Sequence, residues 1–493
     1  MEKFYSDVLA VTDATNAKVQ AELTKEDFIS GGTAELADTT FNADTAAFDM
    51  AVIDRIHQFN RFGMKLGLER MDGLLKKLGS PQEGLQVIHV AGTNGKGSVS
   101  KFLEEGLKAC GYKIGLYTSP FIERFNERIR FDGEDISDND LEVFGRRVIA
   151  AAEEMVSEGL ESPTEFEVVT AIAFLYFKEK DTDIAVMEVG LGGSGDSTNV
   201  IRRPLASVIC SISYDHMDRL GDSLVEIAAE KAGIIKTGSP VISNVSEREA
   251  AVVIAKAAYK KRSPLYDVSK IRYEIYEDTP FFQKVSMEIY EKDYSGVETI
   301  MTGKHQADNL KTALATLEVL RKQKKVKLDR EKLYEGIAKA KQPGRFEIFK
   351  WGEYGGDADG FEKLVILDGA HNEAGAEALE NTVNKYFQDK RILMITGMLA
   401  DKQTDKITEH FAGITDKMIA TEPDNPRKLE AEKLASMLGS KGVSVKTAKT
   451  AEECLSIADQ MKDEWDILLA AGSLYLIGII RRMIRNGYGE EKK

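Results

Sequence analysis

The sequence predicts an α/β protein built from two units, each with a mainly parallel sheet, the second smaller than the first. Three observations carry this expectation. Short apolar runs alternate with amphipathic stretches from residue 87 to 261, and again from 364 to 485. Pro343-Gly344 interrupts the pattern between the two halves. The length of 493 residues allows two to four domains, at roughly 100–200 residues each. The expected division is an acidic extension over 1–45, a first domain over 46–342 and a second over 343–493.

Residues 1–45 are rich in Thr, Ala and Asp, with Gly31-Gly32 inside. They read as an appended helix or a loose arm without chemistry of their own. Phe48, Val52, Ile56 and Phe59 recur at helical spacing over 47–60. After Phe62-Gly63, the residues Met64, Leu68, Met71, Leu75 and Leu78 form a second apolar stripe, read as core packing. From there the expected order is strand 87–90, helix 98–110 and strand 113–118, then an irregular loop over 119–136. Helices 138–157 and 165–179, strands 183–189 and 206–212, helix 223–232, strand 240–243 and helix 247–261 follow. Residues 271–301 carry β-type runs without helices between them and read as an antiparallel ribbon at the edge of the first domain. Helices 305–323 and 329–340 close that domain. The second, Rossmann-like α/β unit is expected to hold strands 364–368, 391–396, 416–420, 443–446 and 466–470. Its helices are expected at 373–387, 427–437, 451–462 and 474–485.

The stretch with most chemistry is Gly92-Thr93-Asn94-Gly95-Lys96-Gly97-Ser98. It follows the apolar strand 87–90 and opens a helix, which is the layout of a phosphate-binding loop (P-loop). Glycines let backbone N–H groups close on phosphate, the helix N-terminus faces the anion, and Lys96 supplies a point charge. Val90 stands where the general pattern has its first glycine, Gly97 replaces the usual hydroxyl residue, and Ser98 comes one place late. A Mg²⁺ ligand normally supplied by such a loop must then come from elsewhere. The plain alternative is a strand–helix connection without function.

Bulk composition narrows the classes. Hydrophobic residues make up 43% and charged residues 30%, as in a soluble globular chain with a full core. A net charge of -15 disfavours nonspecific nucleic-acid binding. The N-terminal segment lacks the pattern of a secretory signal. The apolar run 168–177 is too short to span a membrane. Three separated cysteines, Cys110, Cys210 and Cys454, show no metal or redox spacing and suit a reducing compartment. The protein is expected in the cytoplasm, off the membrane, as a monomer.

Ligands of open α/β sheets bind beyond the C-terminal ends of strands, and polar candidates recur there. Lys96, Ser119, Glu188 and His216 follow or end four strands of the first domain, and Asp368 ends the first strand of the second. Glu188, at an apolar strand tip before Gly190, suits Mg²⁺ or a capping role. His216 and His371 sit in loops after strands, whereas His57, His89 and His410 read as structural or surface residues. Lys231 lies in an otherwise apolar helical segment. It is either a lysine of lowered pKa, able to act as a nucleophile, or an ordinary ion-paired one.

Taken together, these segments resemble the folylpolyglutamate synthase/dihydrofolate synthase family of the Mur ligase superfamily. Beside the loop at 92–98, the resemblance rests on Thr118-Ser119-Pro120-Phe121, on 188–193, and on Asp215-His216 with Leu220-Gly221. Segments 230–234, 305–309, 343–347 and Asp368-Gly369-Ala370-His371-Asn372 complete it over roughly residues 50–485. The resemblance implies an ATP-dependent ligase that adds L-glutamate to folate or folylpolyglutamate through an acyl phosphate. It implies catalytic roles for Lys96, Glu188, Lys231 and His371. ATP would be held by Thr93, Asn94, Gly95, Lys96, Gly97, Ser98, Asn309, Arg345 and Asp368. Two Mg²⁺ ions are implied, with Glu188 between them, Ser119 on the first, and His216 with a carbamylated Lys231 on the second. After Gly193 the family's usual arginine is replaced by Ser194, while Asp196, Thr198 and Asn199 match. Dihydrofolate synthase or a bifunctional enzyme remains open as an alternative within the family. A P-loop ATPase switch is the alternative outside it.

Overall fold

The computed structural model describes residues 51–59, 67–351 and 363–487. The extension 1–45, Phe48, Phe62-Gly63 and Met64 lie outside the described residues. Of the first apolar stripes, Val52–His57 and Glu69–Lys77 are helices that bury Val52, Ile56, Met71, Leu74 and Leu75.

The first sheet has eight strands. In spatial order they are Glu134–Asp135, Ile129–Phe131, Ile114–Tyr117, Ile184–Glu188, Val87–Ala91, Ala206–Ile209, Val241–Ser243 and Leu265–Asp267. Val87–Ala91 sits at the centre, paired in parallel with Ile184–Glu188 and with Ala206–Ile209, so that Val90 lies beside Glu188 and Val208. All five residues of the two strands Val87–Ala91 and Ile184–Glu188 are buried, as a sheet covered on both faces requires. Both strands end at the same rim, and their terminal residues open the site.

The second sheet has six strands, in the order Glu347–Lys350, Leu364–Leu367, Ile467–Ala471, Ile392–Thr396, Lys417–Ala420 and Ser444–Thr447. Only the first of these is antiparallel to its neighbour. Helices Asp138–Ser157, Glu165–Glu179, Glu373–Phe387 and Leu474–Arg485 fall where the periodicity predicts them.

Three expectations are corrected. The stretch 119–136 is not wholly irregular: it contains a 3-10 turn at Phe125–Arg128 and a hairpin of Ile129–Phe131 with Glu134–Asp135. Asp132 (φ 52°) and Gly133 (φ 90°) make its two-residue turn, the left-handed pair that such hairpins favour. Residues 273–299 form the expected antiparallel ribbon, a three-stranded sheet separate from the first. The phosphate-loop helix starts at Lys96, because Gly95 takes the left-handed conformation (φ 87°) just before it. Helix Ala431–Gly439 starts later than expected, since Lys428 bridges to Leu399 instead of entering it. Among the described residues, no helix is long and apolar enough to cross a membrane.

Candidate active site

A cavity of about 520 Å³ opens at the rim where the first sheet ends, and residues of both halves of the chain line it. On one side stand Gly92 to Gly97, Ser119, Glu188, Asp215, His216 and Lys231, and on the other Arg345, His371, Lys402 and Arg427. The structure thus brings together most residues singled out from sequence. Ser98, Asn309 and Asp368 stand behind the wall instead of on it. Ser98 is buried inside the loop helix. Asn309 presses its Oδ1 on Gly95 and donates from Nδ2 to Gln306 at 3.0 Å. Asp368 accepts the backbone N–H groups of Phe346 and Ala370, both at 2.8 Å, beside Arg345.

The loop is shaped by close approach. A Cβ on Gly92 would lie 2.7 Å from the Cβ of Cys210, and one on Gly95 would meet Asn309. Lys96 folds back, its Nζ donating to the carbonyls of Gly92 and Thr93 at 3.1 Å each. Lys231 donates to the same Gly92 carbonyl at 2.9 Å. Burial, assisted by the charge of Lys96, lowers the Lys231 ammonium to about 7.

Glu188 is buried at its strand tip. Burial raises its carboxyl to about 7, against the pull of Lys96, Arg345 and the Ser119 N–H. The next turn is held by Asp196, whose Oδ2 accepts the N–H groups of Gly190 (3.0 Å) and Leu191 (2.9 Å). Its Oδ1 takes the Thr198 hydroxyl at 2.5 Å, and His89 Nε2 lies 2.8 Å from that hydroxyl. Burial pushes His89 down to about 3, so this histidine is a neutral structural link. Asn199 bonds the carbonyls of Ser194 and Gly233, tying the glycine turn to the end of the Lys231 helix.

Asp215 joins the two halves. Lys402 Nζ donates to its Oδ1 at 2.6 Å and Asn372 Nδ2 to its Oδ2 at 3.0 Å, and His371 Nε2 lies 3.8 Å from Oδ2. Burial opposes this charge, yet Lys402, His371 and His216 hold the carboxyl far below its ordinary range. Asn372 and Asn94 exchange amide hydrogen bonds at 3.0 and 3.2 Å, which ties the phosphate loop to the N-cap of helix Glu373–Phe387. His371 Nδ1 faces the Gly369 carbonyl at 2.7 Å, which assigns the proton to Nδ1 and leaves Nε2 an acceptor. Burial and then Lys402 lower this histidine to about 4.

The donor set suits a hard cation in part. The Glu188 carboxylate and the Ser119 hydroxyl are oxygen donors on adjacent strand ends, the chemistry Mg²⁺ takes. His216 and Lys231 offer nitrogen, and an ammonium is no ligand. Among the described residues no three His, Cys, Asp or Glu side chains converge as a metal cluster.

Residues 90–317 match the Mur ligase middle domain, and 344–474 match the glutamate ligase domain of Mur ligases. A dihydrofolate synthase/folylpolyglutamate synthase of Bacillus subtilis is 37% identical over 436 residues, covering 87% of this chain and 97% of its own. The chain belongs to the folylpolyglutamate synthase/dihydrofolate synthase family. Solved structures of that family agree. The folylpolyglutamate synthase of Thermotoga maritima superposes with a TM-score of 0.76 at 34% identity, over 90% of this chain and 98% of its own. That of Mycobacterium tuberculosis, complexed with ADP, gives 0.78 at 28%, over 90% and 99%.

Within this family member, sequence reasoning missed Lys402, Asp215 and Asn372 as site residues. The signal for Lys402 was the one used elsewhere: it follows Gly397 beyond the C-terminal end of strand Ile392–Thr396. Helix Thr404–Ala412 was missed with it. Ser194 is exposed and gives its hydroxyl to the Glu230 carbonyl at 3.2 Å. Position 194 therefore lends the cavity no charge.

Proposed function

We propose that this ATP-dependent ligase is a folylpolyglutamate synthase, joining the γ-carboxylate of a folate to the amine of L-glutamate. One observation carries the reading: a phosphate loop in the first half and a glutamate-ligase half face each other across a single cavity. The folate carboxylate attacks the γ-phosphorus of ATP, and ADP leaves. The amine of glutamate then attacks the carbonyl carbon of the acyl phosphate, loses a proton, and expels phosphate. A carboxylate is a poor electrophile, so activation must come first, and the wall from the second half keeps water from the intermediate.

Lys96 turns from its own loop carbonyls to the β- and γ-phosphates and balances their charge. The loop amides and Arg345 orient the nucleotide, while Asn309 and Asp368 support it from behind. That the Mycobacterium tuberculosis relative is complexed with ADP supports nucleotide binding by this chain. Glu188 and Ser119 would hold one Mg²⁺, and His216 with a carbamylated Lys231 a second. Bound there, the ions would polarise the γ-phosphate and neutralise charge on the leaving oxygen. A Lys231 amine near pKa 7 is available to CO₂ at neutral pH. The family resemblance sets His371 at the transferring phosphate, where its Nε2, an acceptor in the neutral ring, would also suit an N–H of the incoming amine.

The same reading divides the chain at 343 and has it act in the cytoplasm as a monomer; three unpaired cysteines suit that reducing compartment. Phosphate release, measured with each substrate omitted in turn, tests it. Release should require ATP, Mg²⁺, a tetrahydrofolate and glutamate together. Release without folate or glutamate would instead mark an ATPase switch. Dihydropteroate as acceptor would reveal dihydrofolate synthase activity.

A further inference from the structure

The wall of the cavity that carries Ser119, Pro120 and Arg128 belongs to the first half of the chain, yet its outer edge is fastened to the second. Three consecutive amides, those of Ile122, Glu123 and Arg124, donate to the Glu127 carboxylate at 2.7, 3.1 and 3.0 Å, so the turn is one stiff unit. Arg128 packs between the rings of Phe121 and Phe125, 5.2 Å from each. This unit then crosses to helix Leu474–Arg485. The Ile122 carbonyl lies against Gly478, so closely that any Cβ there would collide with it. Arg481, 9% exposed, bonds Glu123 through one nitrogen. Its other two grip Glu347 at 2.8 and 2.9 Å. Glu347 in turn accepts the N–H of Gly344 at the junction between the two halves.

We propose that Arg481 and Gly478 are positioning residues, which set the 119–128 wall by clasping it to the second half. The acid substrate lies along that wall, an assumption that rests on the function proposed above. Binding of that substrate and docking of the second half are then coupled: each strengthens the other by the same factor. The nucleotide sits chiefly on the loop at 92–97, which the clasp does not touch, and Arg345 stays anchored beside Gly344 as long as Arg481 keeps Glu347, so its affinity depends on the Glu123 and Gly478 contacts much less. The guanidinium serves two carboxylates held by different parts of the chain. Glu123→Gln therefore loosens the wall while leaving Arg481 its partner at Glu347. Gly478→Ala loosens it by steric pressure on the Ile122 carbonyl and alters no charge. Two unlike perturbations should share one signature.

The test uses the full chain with both substrates. Each variant should raise KM for the folate about tenfold, with kcat and the KM for ATP changed by less than about threefold, in the range of ordinary coupling energies. Amide hydrogen exchange over 121–124 should quicken in both variants, and that over the loop helix should not. An unchanged folate KM in both variants would overturn the proposal. So would a fall in kcat with every KM intact, which marks a structural defect instead. If the wild-type chain releases phosphate without folate or glutamate, it is the ligase reading that fails. If it ligates normally and the variants match it, only the clasp fails.

Discussion

Replacing Lys231 by methionine should destroy activity and stabilise the protein, and the size of the second effect follows from burial. Lys231 is 4% exposed. Its ammonium, ordinarily near 10.5, is lowered to about 7, first by burial and then by Lys96. The unfolded chain keeps that proton up to pH ~10.5, the folded chain only to about 7. Between those values unfolding takes up a proton, so stability rises with pH. Below pH 7 both states carry the charge, and the folded state bears the whole penalty. At about 1.4 kcal/mol per pH unit this is roughly 5 kcal/mol at pH 6, falling to about 2 kcal/mol at pH 9. Methionine has similar length and no charge. It forfeits the bond to Gly92, worth about 1–2 kcal/mol. The variant should therefore exceed wild type by about 3 kcal/mol at pH 6 and come close to it at pH 9. Urea unfolding followed by circular dichroism, in buffer free of Mg²⁺ and CO₂, measures this directly. A variant no more stable than wild type at pH 6, or a difference that ignores pH, would refute the buried-amine argument.

The other predictions concern the loop and its carboxylate. Lys96→Ala should lower kcat/KM by about 10²–10³ without lowering the urea midpoint, because Nζ bonds only its own loop and its charge repels that of Lys231; near-normal turnover would remove Lys96 from the chemistry. Glu188→Gln should cost about a hundredfold or more and flatten the response of rate to Mg²⁺, and a titration curve identical to wild type would free Glu188 of the metal role. Gly95→Ala, at φ 87° and pressed on Asn309, should weaken nucleotide binding about tenfold or more, measured by equilibrium dialysis. An unchanged Kd would mean that the loop tolerates a side chain.

Glu188 and Lys231 were legible because their surroundings contradict them: a carboxylate ending an apolar strand, and a lysine inside an apolar helix. Periodicity also delivered helix Asp138–Ser157 and the parallel strands. Lys402 was hard to read, because its one signal was its place beyond the end of strand Ile392–Thr396 and its partner Asp215 lies 187 residues earlier. An ion pair across two domains leaves no trace in local pattern. Helix Thr404–Ala412 escaped because it buries only Ile407, Thr408 and Phe411. The Asp132-Gly133 hairpin did leave a signal, but strands of three and two residues are too short for alternation to register. The helix starts at Lys96 rather than at Ser98 and carries Ser98 inward.

Gly92 lends one carbonyl oxygen to two ammonium groups, Lys96 at 3.1 Å and Lys231 at 2.9 Å. A phosphate that draws Lys96 forward leaves this oxygen to Lys231 alone. On the proposed reading, nucleotide arrival would be a trade of acceptors, in which the lysine surrenders two carbonyls for oxygens that carry full negative charge. Exchanges between like neutral bonds are nearly even, and only the charged acceptor tips the balance. Adenosine alone has nothing to offer Lys96 and would leave both lysines in place. On the proposed reading, the polyphosphate tail, not the base, would rearrange the loop.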